Sequence, residues 1–119
     1  MPHVQVIGDC PINGKLATAL APFLESESPL VLKIQNAFVN PAKTKMLLEA
    51  LVVEGYLRQR FFLLVHQEET GILVRCHPAC PVQKTDGVKQ LIARVAQRII
   101  AACPGSRTGN TNLEPFLDT

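Results

Sequence analysis

The chain has 119 residues, of which 47% are apolar, and a formal net charge of +2. That length and composition describe one folded domain able to bury about two-thirds of the surface its unfolded chain exposes, and they exclude a disordered chain. The near-neutral total excludes a bulk electrostatic drive toward a strongly acidic partner, and no apolar run approaches the ~20 residues that span a bilayer.

His3 to Gly8 is short and β-branched and reads as a strand. Gly8-Asp9-Cys10-Pro11 breaks it, and Asn13 is placed to N-cap a helix through Lys15, Leu16, Leu20 and Leu24. Pro22 would kink or stop that helix, and Glu25 to Pro29 reads as a polar connector. Leu30 to Val39 is a second strand, with Leu30, Leu32, Ile34 and Phe38 on one side and Lys33 and Gln35 interrupting the other. Asn40-Pro41 has the form of an N-cap followed by proline at the first helical position. Residues 41–54, rich in Ala, Lys, Met, Leu and Glu, are therefore expected as a helix ended by Gly55. Were 46–54 a strand instead, Met46 to Cys76 would form a three-stranded antiparallel meander and the class would be α+β.

The stretch from Arg60 to Cys80 organises the rest. Phe61 to Val65 and Gly71 to Cys76 are strands joined by the polar turn around Glu69-Thr70. The register predicted by that turn pairs Gln67 with Ile72, Val65 with Val74, and Leu63 with Cys76. One face then carries Phe61, Leu63, Val65, Ile72, Val74 and Cys76, which is core. The other carries Phe62, Leu64, His66, Leu73, Arg75 and His77, half apolar and half polar. Such a face calls for partial cover by a helix or a second subunit.

Pro78 to Thr85 reads as a loop, after which Thr85 or Asp86 caps an amphipathic helix. Val88, Leu91, Ile92, Val95, Ile99, Ile100 and Cys103 share one face, and Lys89, Gln90, Arg94, Gln97 and Arg98 the other. Pro104-Gly105 stops it. The expected organisation is a single α/β domain over 1–104 with a polar tail over 105–119, whose Leu113, Phe116 and Leu117 are able to dock back.

The expected order, β-α-β-α-β-β-α with a C-terminal hairpin and helix, is similar to the thioredoxin-like arrangement. That resemblance implies a cysteine after the first strand, where a helix N-terminus stabilises a thiolate. Cys10-Pro11 stands at that position, which makes Cys10 the candidate thiol; the plain alternative is a small buried residue ending a strand. Cys10-Pro11-Ile12-Asn13 lacks a second cysteine, and no proline stands near Gln59, where that fold carries one before its third strand.

Cys76, His77 and Cys80 have a spacing that can bring two sulfurs to one metal, but structural zinc wants four ligands. Cys10 and His66 are the realistic further donors, and His66 lies near the far end of the hairpin, so the site rests on Cys10; no metal ligand and no cofactor is predicted. Gly8 to Lys15 is one residue too long for a phosphate-binding loop, and Leu16 stands where the hydroxyl belongs. Glu68-Glu69 reads as a solvated turn, and no nucleophile elbow accompanies the histidines.

Four cysteines are too few for a disulfide scaffold, and Met1-Pro2-His3-Val4 has no signal-peptide character, so a cytoplasmic protein with reduced cysteines is expected. Three functional expectations follow. The first is a non-enzymatic binding domain, homodimeric through the mixed face of Phe62, Leu64, His66, Leu73, Arg75 and His77. The second is thiol-redox chemistry at Cys10. The third is binding of nucleic acid or an acidic partner by Lys89, Arg94 and Arg98. The absence of Trp and of a nucleic-acid motif weighs against nucleic acid. No membrane association is expected.

Overall fold

The computed structural model describes residues 1–117. Its strands are β1 (His3–Ile7), β2 (Phe23–Glu27), β3 (Leu30–Val39), β4 (Lys45–Glu54), β5 (Leu57–Gln67), β6 (Gly71–Cys76) and β7 (Arg107–Thr111). The helices are α1 (Gly14–Leu20), α2 (Asp86–Ala102) and the single turn α3 (Glu114–Leu117). All seven strands form one curled sheet in the order β2-β3-β4-β5-β6-β1-β7. Every neighbouring pair is antiparallel.

This corrects the α/β, thioredoxin-like expectation. β1 does not open a parallel βαβ unit; it lies antiparallel between β6 and β7, at the opposite end of the sheet from β2. The decisive segment is Lys45–Glu54, a strand rather than the expected helix. Its helix-forming residues alternate at a period of two. Met46, Leu48, Ala50 and Val52 enter the core, while Leu47, Glu49, Leu51 and Val53 take the other face. Pairing along both edges, to β3 and to β5, gives its main-chain groups partners that a helix would have supplied internally, and tertiary burial overrides propensity.

Asn40 caps a turn instead of a helix. Its Oδ1 accepts from the backbone N–H groups of Thr44 and Lys45, both at 2.9 Å, and Lys43 takes a left-handed conformation to close the β3–β4 hairpin. Two further strands were not anticipated. Phe23–Glu27 pairs with β3 where the end of the first helix, through Leu24, and a polar connector from Glu25 were expected, α1 stopping at Leu20. Arg107–Thr111 adds an edge beside β1 within the expected tail.

The central hairpin has the expected register, Gln67 to Ile72, Val65 to Val74 and Leu63 to Cys76. α1 and α2 also start where the caps predict: Asn13 accepts from Leu16 N–H and Thr85 from Val88 N–H. α2 packs against β1, β3, β4, β6 and β7, and α1 and α3 pack against α2, so the helices gather on one side of the sheet. Between them and the sheet lies one core that includes Ile34, Met46, Leu48, Leu63, Val74 and Ile92.

Two tethers fix the ends of α2. At its N-terminus the Glu54 carboxylate, at the end of β4, accepts from Gly87 N–H at 3.0 Å and from the Thr85 hydroxyl. At its C-terminus Cys103 forms a disulfide with Cys10. The expectation of reduced cysteines is corrected at this pair: strand end and helix end are both core positions, and the fold brings their Cα atoms to 5.6 Å.

Candidate functional site

Because the helices share one side, the opposite side of the sheet has no layer over it among the described residues. The register places Phe62, Leu64, His66, Leu73 and Arg75 there, and His77 continues past the end of β6, donating its backbone N–H to Phe62 O. The structure extends this face well beyond the hairpin. Leu64 stands opposite Leu47, which stands opposite Phe38; Arg60 stands opposite Leu51, which stands opposite Lys33.

Phe38 belongs to this face because of a bulge. The β3–β4 register slips between Ile34 and Asn36, so Ala37 and Val39 turn inward and Phe38 turns out, 54% exposed. The expectation that Phe38 shares a side with Leu30, Leu32 and Ile34 is thereby corrected; nothing in the local sequence announces the extra residue.

The face is cationic as well as apolar. Lys33, Lys45, Arg58, Arg60 and Arg75 project from it between the apolar side chains. The acid that shares it within the strands is Glu49, which accepts from Asn36 Nδ2 at 2.7 Å. Among the described residues none of Lys33, Lys45, Arg58 and Arg60 makes an ion pair or a side-chain hydrogen bond. Arg75 donates from a terminal nitrogen only to the Met1 sulfur, at 3.7 Å, and its buried Nε has no partner.

Two depressions lie on this face, one on the β3–β4 side over Leu64 and one on the β1 side of Arg75. One, of about 270 Å³, is lined by Phe38, Leu47, Leu64, His77 and the Lys45 stem. The other, of about 360 Å³, is lined by Met1, His3, Gln5, Glu68, Leu73 and Arg75. Leu51 and Leu64 are each only 7% exposed, so the apolar floor is recessed and the cations rise around it.

The other sequence candidates are not brought together here. Cys10 is 1% exposed and its sulfur is bonded to Cys103, so it offers no thiolate in this state. That bond also removes it as a further ligand for Cys76 and Cys80, and among the described residues no group of three acidic, histidine or cysteine side chains is arranged to hold a metal. Cys76 is buried, and that burial pushes its thiol above the ordinary value; nearby Lys84 lowers it and Cys80 raises it further.

On α2, Arg94 and Arg98 turn back onto the protein. Arg94 Nε lies 3.6 Å from Glu25, and its guanidinium donates to Gln97. The Arg98 guanidinium sits 4.0 Å from the centre of the Phe23 ring. Glu25 and Phe23 belong to β2, the strand the sequence did not reveal, so the cations that looked free along the helix are engaged by the sheet edge. Lys89 remains half-exposed.

Comparison with protein families, with curated proteins and with solved structures finds no match to this chain. No described helix is long and apolar enough to cross a membrane.

Proposed function

We propose that this protein is a binding module whose working surface is the uncovered face of the sheet and whose partner is anionic. The observation that carries this reading is the interleaving of Lys33, Lys45, Arg58, Arg60 and Arg75 with apolar side chains on a face that no described element covers. Cations beside apolar area, Lys45, Arg58 and Arg60 exposed and Lys33 and Arg75 half-buried, attract a ligand that brings both negative charge and apolar surface. The helix-based version of this reading is weaker, because Arg94 and Arg98 are already paired.

A homodimer through the same face is the second reading, favoured by its apolar rows. A two-fold axis would, however, set the cations of one copy against those of the other, and the nearby acids Glu49 and Glu68 already accept from Asn36 and Gln5. The charge pattern therefore favours a different molecule.

Fluorescence anisotropy with a labelled glutamate homopolymer tests the proposal. Binding that weakens as salt rises and disappears in Arg58→Glu/Arg60→Glu supports it. Absence of salt-sensitive binding counts against it, as does a stable dimer by light scattering that Leu64→Glu converts to monomer.

A further inference from the structure

We infer that the partner is an acidic polypeptide segment that seats one large apolar side chain in the depression between Phe38, Leu47, Leu64 and His77. This rests on the proposed anionic-binding face and names the chemistry of its ligand.

Three kinds of polyanion would answer the charge of the face: a single-stranded nucleic acid, an anionic membrane and an acidic polypeptide. The side chains between the cations distinguish them. Single-stranded nucleic acid is held by flat aromatic rings on which bases stack. Here the rows are mainly aliphatic, Leu24, Val31, Leu47, Leu51, Leu64 and Leu73; of the two aromatic rings in them Phe38 is exposed and Phe62 is half-buried, so successive bases find a single open ring. Aliphatic side chains give a base no stacking face, but they pack against leucine or phenylalanine from any direction.

A membrane is disfavoured by relief. Proteins that dock on bilayers push protruding apolar side chains into the acyl region. Leu51 and Leu64 are recessed to 7% exposure. Of the large apolar residues in the strands of the face, only Leu24 and Phe38 protrude among the described residues, apart from each other on β2 and β3. A bilayer therefore meets two isolated side chains among cations rather than an apolar patch. A recessed apolar floor is suited to receive a side chain rather than to deliver one.

The depression itself fits that role. Its floor is Leu47 and Leu64, Phe38 and His77 form walls, and Lys45 stands at the rim. An apolar side chain placed there covers the exposed Phe38 ring, while flanking carboxylates of the same segment reach Lys45 on one side and Arg75 on the other. Leu47, Leu64 and Arg75 stand directly across from one another on β4, β5 and β6. Neighbouring strands are ~4.8 Å apart, so anchor and counter-charge lie within about 10–15 Å, a span that a short segment bridges.

The test compares four probes on the full chain. These are a synthetic peptide with leucine on one face and glutamate on the other, a glutamate homopolymer of equal length, a thymidine oligonucleotide of equal charge, and phosphatidylserine vesicles. The amphipathic peptide should bind about tenfold more tightly than the homopolymer, the increment of roughly one buried apolar side chain. Phe38→Ser, at an exposed position, should remove that increment, so that the two peptides bind alike. Tyr56→Ser, fully exposed in the turn between β4 and β5 and outside the rows of the face, should leave binding of both unchanged. Equal binding of the two peptides overturns the anchor while the anionic face stands. Tighter binding of the oligonucleotide or the vesicles overturns the polypeptide assignment. Failure of all four probes overturns this inference together with the reading beneath it.

Discussion

Glu54 and Gly87 are separated by thirty-three positions, yet the carboxylate at the end of β4 accepts the Gly87 backbone N–H at 3.0 Å. The link joins the fourth strand to the first turn of α2, the longest described helix. It supplies an acceptor to amide groups that have no intrahelical partner and places negative charge at the positive end of the helix dipole. Thr85 completes it, donating its hydroxyl to Glu54 while accepting from Val88 N–H at 3.3 Å.

Glu54→Ala should therefore destabilise the protein by about 2 kcal/mol, the range for a hydrogen bond to a charged group at a helix start. A Cβ at position 87 would stand 2.5 Å from the Glu54 carboxyl carbon, so Gly87→Ala must displace that carboxylate. The two substitutions remove the same contact. Urea unfolding of the double variant should show a loss well short of the sum of the singles; full additivity would refute the link.

Reducing the Cys10–Cys103 bond, or Cys10→Ser/Cys103→Ser, should cost roughly 2–5 kcal/mol, chiefly by freeing a long loop in the unfolded chain. Urea midpoints with and without reductant measure it, and the double-serine variant should be insensitive to reductant. Equal midpoints for the oxidised and reduced wild-type chain would refute a cross-link at this pair.

Cys76 gives the protein a pH dependence at alkaline pH. Its folded thiol titrates above the ordinary value of 9.0, because burial disfavours the thiolate. The unfolded chain therefore loses this proton first. The contribution of Cys76 is fully present below that ordinary value and is lost as pH rises through the folded one. Unfolding free energy should fall above about pH 9 in the wild type and fall less in Cys76→Ala. Alkylation of the folded protein should label Cys80, which is half-exposed, before Cys76.

Gly71 begins β6 where it pairs with Ile7 of β1, and a Cβ there would stand 1.9 Å from the Val6 carbonyl oxygen. Gly71→Ala should cost at least about 2–4 kcal/mol by forcing β1 away from β6. Hydrogen exchange should show the loss concentrated in β1 and β7, the strands beyond that contact. Unchanged stability would refute this packing.

Local chemistry determined a good part of the molecule by itself. The turn around Glu69-Thr70, flanked by alternating apolar residues, set the β5–β6 register, because a period of two allows one buried face and one turn allows one pairing. Asn13 and Thr85 marked the starts of α1 and α2 because a side-chain oxygen before an apolar periodic run satisfies a free amide wherever the chain lies. The mixed face of Phe62, Leu64, Leu73 and Arg75 was visible for the same reason.

Only the tertiary structure decided the rest. Residues 45–54 carry helix-forming composition with apolar side chains at every phase. Their state was settled by two neighbouring strands and by the core beneath them, which no local window contains. β2 and β7 are short and polar and exist as strands because β3 and β1 offer them an edge. Arg94 and Arg98 were engaged by that same β2, and the bulge before Asn36 moved Phe38 onto the cationic face. Cys10 and Cys103, ninety-three positions apart, met because the end of β1 and the end of α2 close over one core. Each of these depends on contacts between distant segments, whose closure is set by chain topology rather than by neighbouring residues.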